Sequence, residues 1–183
     1  MRDGLIIILL LLVAVTATAQ TTPSKKTPAD VMREIRLKVL TTPASQLGRK
    51  PTEEFPHVHG IIMDWPIEDT ILSLMASSAG DGSIYTTGDF GVLGGIKYEN
   101  VRNAAKSFVK LGEKYYSDAT PAKDYPYPQK GHVCFYLMCY DDVRMIDTDV
   151  NSLSKSNGKY SDLFAQAQRM ISELRQIAQQ PKK

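Results

Sequence analysis

The residues whose types and spacing could do chemistry are three histidines, two cysteines and a cluster of glycines. His57 and His59 stand two apart in HVHGIIMDW, so on a strand both side chains would face the same way. His132 precedes a second apolar run. With Asp64 as the nearest carboxylate, His57, His59 and His132 form a candidate metal set, because zinc accepts imidazole and carboxylate ligands. The plainer reading is surface or edge-strand histidines. Gly88, Gly91, Gly94 and Gly95 fall within eight residues, ahead of a helical pattern. Backbone N–H groups at a helix start attract anions, and glycine permits close approach. Gly91, Gly94, Gly95, Lys97 and Arg102 are therefore the candidate anion site. Their spacing matches neither the P-loop nor the dinucleotide fingerprint, and sharp turns with close packing are the structural alternative.

Cys134 and Cys139 lie in one run, VCFYLMCY. Five residues of strand span about 16 Å, and an odd separation points the side chains to opposite faces. A disulfide needs Cα atoms within about 7 Å, so no intrachain bond is expected. A nucleophilic cysteine would need a neighbour that lowers its pKa, and His132 is the candidate. Arg102, Lys106, Lys110 and Lys114 repeat every four residues, and Tyr115, Tyr116, Tyr125 and Tyr127 follow. Tyrosine with a basic stripe suits a protein partner or self-association, with Lys106, Lys110, Lys114, Tyr116, Tyr125 and Tyr127 as the candidate interaction surface. Glu99 and Glu113 interrupt the charge, which a merely solvated face would also show. Asp141, Asp142, Asp147 and Asp149 give paired carboxylates that strand alternation would send outward. The sequence contains no nucleophile elbow, EF-hand loop, zincin helix or kinase set.

These residues need elements to position them. Thr27 can cap a helix that Pro28 and Asp30 favour, and Val31, Ile35 and Val39 carry it to about Leu40. Strands are expected over 57–65, 70–77 and 83–87, the last reached through a turn at Gly80-Asp81-Gly82. Val101, Ala104, Ala105, Phe108, Leu111 and Tyr115 repeat at helical spacing across 98–116. Two more strands, 133–140 and 143–150, precede a helix over 160–179. The order α-βββ-α-ββ-α predicts an α+β fold, an antiparallel sheet of about five strands packed by helices, in one domain over 28–180.

The chain has 183 residues and a formal charge of +2, which argues against a dedicated nucleic-acid binder. Leu5 to Val15 is an unbroken apolar run ending near Ala17-Thr18-Ala19. Eleven helical residues reach about 16 Å, against a hydrocarbon core of about 30 Å. Residues 1–19 therefore read as a signal peptide, with 20–27 as a flexible leader and export to a periplasmic or extracellular location. No stable membrane span is expected after cleavage. Arg2 is offset by Asp3, so an uncleaved N-terminal anchor is the alternative.

Further motifs carry a resemblance. Pro43-Ala44, Leu47-Gly48, Val58-His59-Gly60-Ile61-Ile62-Met63 and Asp81-Gly82-Ser83-Ile84-Tyr85 resemble the front half of a family of small uncharacterised bacterial proteins. The likeness continues through Gly94-Gly95, Val101-Arg102-Asn103-Ala104-Ala105, Val133-Cys134-Phe135-Tyr136 and Asp142-Val143-Arg144. The element order is also similar to roadblock, longin and profilin-like modules, which implies an adaptor or ligand-sensing role. Together these features lead to the expectation of an exported, non-enzymatic binding or self-association module without a cofactor. The alternative is an anion-binding or hydrolytic site on Gly88–Lys97 with a histidine.

Overall fold

A computed structural model of the chain describes residues 26–88 and 90–179. The expected signal peptide and most of the expected leader lie outside the described residues. Helix α1 spans Pro28–Thr41, and Thr27 caps it by accepting from the Asp30 amide while Asp30 reaches back to the Thr27 amide. Strands β1 (Val58–Ile67), β2 (Thr70–Ser77) and β3 (Gly82–Thr86) follow, then a two-residue strand β4 (Gly91–Val92). Helix α2 spans Glu99–Lys114. A second two-residue strand, β5 (Thr120–Pro121), precedes β6 (His132–Cys139) and β7 (Val143–Asp149). A short helix α3 (Val150–Leu153) and the long α4 (Ser161–Ala178) complete the order.

All strands pair antiparallel in one sheet ordered β4-β3-β2-β1-β6-β7-β5. The fold is α+β, as the sequence order predicts. The strand count differs, because β4 and β5 add short edges to the five long strands. β4 is built from the glycine-rich stretch, and Gly91 and Val92 add to the sheet through Tyr85 and Ile84. α3 begins at the end of the expected 143–150 strand, ahead of the expected 160–179 helix; the Asp149 carboxylate caps it by accepting from the Asn151 and Ser152 amides. Among the described residues no helix is long and apolar enough to cross a membrane.

Alternation along the strands separates two faces. One face carries Ile84, Leu74, Met63, Phe135 and Ile146 in a row across five strands, as the register dictates. α2 and α4 cover it, with Val101, Ala105 and Phe108 of α2 and Leu163, Met170 and Leu174 of α4 fully or nearly fully buried. Buried Gln166 of α4 ties the helices by donating to the Ala104 carbonyl at 3.1 Å. The other face carries Tyr85, Ser73, Asp64, Cys134 and Asp147 in the adjacent row. α1 and the 117–131 connection lie over this side, where Leu40, Ile62, Tyr136 and Met138 form a smaller apolar cluster.

Candidate functional site

The second face owes its geometry to α1. The helix buries Arg36 and Leu40, with Ile35 and Val39 half-buried beside them. An arginine on the buried stripe needs an anion beneath it, and Asp64 of β1 supplies it. Arg36 Nε donates to Asp64 Oδ2 at 2.7 Å, and Nη2 lies 2.5 Å from the same oxygen. Ser73 Oγ donates to Asp64 Oδ1 at 2.5 Å. Arg36 also donates to the carbonyls of Tyr125 and Pro126, and its guanidinium lies 4.5 Å from the Tyr127 ring centre and 5.0 Å from that of Tyr136. The Tyr136 hydroxyl donates to the Pro126 carbonyl. Arg36 is 1% exposed and Asp64 0%. Burial pushes the Asp64 carboxyl above its ordinary range, and Arg36 and Ser73 offset part of that rise. With every strong donor near it engaged, this carboxylate fastens α1 to the sheet. Tyr85, next in the row, is 2% exposed and its hydroxyl has no partner.

Beyond α1 the chain turns through Ala44–Leu47, and Gly48 adopts φ +65° to reverse it. That reversal brings Arg49 back to the sheet. Arg49 Nη1 donates to the His59 carbonyl and to Ser78 Oγ, each at 3.3 Å, while its Nε is buried without a partner. A cleft of about 300 Å³ opens between this segment, α1 and the sheet. Its walls are mainly apolar, from Ile35, Val39, Leu47, Met75 and Met138, with Lys38, Arg49, His59 and Asp81 as its ionisable groups. A second hollow of about 200 Å³ on the far side of the α1 end shares His59 and Met138 and adds Tyr140 and Asp142.

His59 reaches the floor of both hollows through a bulge. The β1–β6 register shifts between Val58 and Gly60. Val58 consequently packs in the α2/α4 core, whereas His59 lies on the α1 side against Tyr140 at 5.5 Å between ring centres. The His59 ring is 3% exposed, and burial, followed by the Arg49 charge, pushes its pKa down to about 4. The imidazole is neutral at ordinary pH and lines the cleft without adding a charge.

The bulge also breaks the expected metal set. His57 and His59 do not face the same way: His57 Nδ1 pairs with Glu113 Oε1 of α2 at 2.5 Å and its ring stacks on Tyr116 at 4.4 Å. His132 begins β6, whereas Val58 registers with Cys139 at the other end, about 23 Å along the strand. His132 pairs instead with Asp147 at 2.8 Å. Among the described residues no group of three His, Cys, Asp or Glu side chains is placed to hold a metal ion.

The other expected sites are likewise taken apart. A Cβ on Gly95 would meet Val101 Cγ1 at 2.6 Å and the Gly82 carbonyl at 3.1 Å, so glycine here permits close packing. Gly94 adopts φ +72° and donates its amide to Ser83 Oγ. Arg102 Nη1 caps the Ile96 carbonyl at 2.9 Å, and Lys97 lies over the Tyr98 ring. These residues hold the strand-to-helix turn together and do not converge on an open anion cradle. The tyrosine–lysine surface is divided between two sides. Tyr125 and Tyr127 pack with Arg36 and Tyr136 on the α1 side, whereas Tyr116 stacks on His57 beneath the Arg144 guanidinium. Lys110 and Lys114 point to Glu54 and Asp162, and Lys106 is exposed. Both cysteines are free and buried on opposite faces, and burial pushes each thiol up to about 12, which leaves no reactive thiolate.

Arg49 belongs to the cleft and carried no motif in the sequence, whereas Asp81 entered only through the Gly80-Asp81-Gly82 turn and the resemblance. A cue existed in Leu47-Gly48-Arg49, where a glycine can reverse the chain and carry a charge back to the sheet. No family model, curated protein or solved structure matches the chain.

Proposed function

We propose that this chain is a non-enzymatic binding module that admits a small, largely apolar ligand to the cleft between α1 and the sheet. The supporting observation is the cleft itself, about 300 Å³ of mainly apolar wall interrupted by a few ionisable groups. Small-molecule sites have this make-up and run from about 300 Å³ upward. The neighbouring polar groups point away from catalysis. Asp64 is enclosed by Arg36 and Ser73, and burial pushes both thiols up, away from the reactive thiolate form. Export of the chain belongs to the same proposal and rests on the leader sequence. The alternative on Gly88–Lys97 is less well supported, because Gly95 packs on Val101 and Leu174, across the sheet from His59.

A thermal-shift panel of small apolar compounds, phosphates, nucleotides and divalent metals tests it. A ligand present at a hundred times its Kd stabilises by about 2.7 kcal/mol. For a chain of this size that is a rise of about 5–10 °C in Tm. The expected result is a rise with apolar compounds that Met75→Trp, which fills the cleft, removes. A rise confined to phosphates or metals, or one that survives Met75→Trp, overturns the reading.

A further inference from the structure

We infer that the cleft ligand carries a single carboxylate, held by Arg49 with Lys38 at the rim; this rests on the cleft reading above. Arg49 has five N–H donors, yet it makes two bonds of 3.3 Å from one nitrogen and leaves Nε buried and unpartnered. N–H···O bonds normally measure about 2.7–3.2 Å, so both contacts are slack. A buried donor left unsatisfied is costly, and a guanidinium prefers two parallel bonds to a carboxylate. Arg36 shows what this fold does with an arginine it intends to saturate, and Arg49 lacks the equivalent of Asp64. Asp81 is near enough to favour the Arg49 charge but forms no ion pair with it, and its Oδ1 accepts the Gly82 amide.

The charge balance in the cleft sets the class of head group. Lys38 and Arg49 are cationic, Asp81 is anionic and His59 is neutral, which leaves a surplus of one positive charge. That surplus suits a monoanion, and Asp81 opposes a doubly charged phosphate. Ile35, Val39, Leu47, Met75 and Met138 offer only apolar contact to the rest of the ligand. A cleft of this size fits a medium-chain or aromatic carboxylate rather than a long lipid.

Calorimetric titration of the purified chain with octanoate, octanol, octylamine and inorganic phosphate is the test. Octanoate is expected to bind at least tenfold more tightly than octanol, with octylamine and phosphate weaker still. Arg49→Gln should remove the preference for octanoate over octanol, while Arg49→Lys retains part of it. Lys38→Gln, at an exposed rim position, should cost about two- to threefold, because an exposed charge is screened by water. Equal binding of octanoate and octanol, or a preference that survives in a folded Arg49→Gln, overturns the carboxylate while the cleft reading stands. Octanoate failing to bind where other apolar compounds do has the same meaning. Failure of every apolar compound overturns both.

Discussion

The two faces of the sheet are made from the same strands and do different work. On one, Ile84, Leu74, Met63, Phe135 and Ile146 meet α2 and α4 in a continuous apolar contact. On the other, Tyr85, Ser73, Asp64, Cys134 and Asp147 occupy the adjacent row, and α1 is held by a buried ion pair beside an open cleft. Apolar burial is non-directional and gains from closure over a wide area. A buried ion pair is directional and loses its value once either partner is misplaced. The first face therefore suits a permanent core. The second fixes one helix at one position and leaves space next to it.

Replacing the latch is the strongest way to break that contrast. Arg36→Met leaves Asp64 buried without a counter-charge and should destabilise by about 3–5 kcal/mol in urea denaturation. Adding Asp64→Leu to Arg36→Met should restore most of the loss, since the pair can then be replaced by apolar packing. If Arg36→Met costs under about 1 kcal/mol, the ion pair does not hold α1, and the two faces are alike in how they are stabilised.

The pH dependence sharpens the same contrast. His59 is held neutral, with its pKa lowered from 6.5 to about 4. The unfolded chain takes up this proton near pH 6.5 and the folded chain only near 4, so the stability contribution is full above 6.5 and is lost as pH falls through that window. The full loss is about 3 kcal/mol, and His59→Gln should flatten the slope between pH 6.5 and 4 by most of that amount. Asp64 acts with the opposite sign, because its raised pKa favours the fold as acid protonates it. Comparing the variant with the parent cancels that contribution. Equal slopes would show that His59 titrates freely and is not enclosed by the α1 side.

The smallest effect concerns the β1–β2 turn, where Glu68 adopts φ +53°. Glu68→Gly should stabilise by about 0.5–1 kcal/mol, because glycine accepts a left-handed conformation without a Cβ penalty. It touches neither face, so the cleft affinity should not change. A fall in Tm would show that the Glu68 side chain contributes more than its backbone costs.

How much of this was legible in the sequence follows the same division. The apolar face was readable, since period-2 and period-3.6 patterns report burial directly and placed all five long strands and the long helices within about three residues. Opposed cysteine faces followed from counting along one strand. The polar face was not readable. Arg36 sits on α1 among exposed charges, and nothing local shows that it meets Asp64 across 28 positions. The expectation that His57 and His59 face the same way failed on one extra residue in β1, because a bulge re-phases a strand without leaving a compositional trace. The glycine stretch was placed correctly ahead of α2, but composition does not separate a packing glycine from a cradle; the closeness of Gly95 to Val101 favours packing.

The cover of the cleft, from Ile35 through Arg49, is encoded entirely ahead of the first long strand, in a stretch that adds no strand to the sheet. The same stretch carries Arg36 and Leu40, so any edit that reshapes the cleft must spare the two side chains that seat α1 on the sheet.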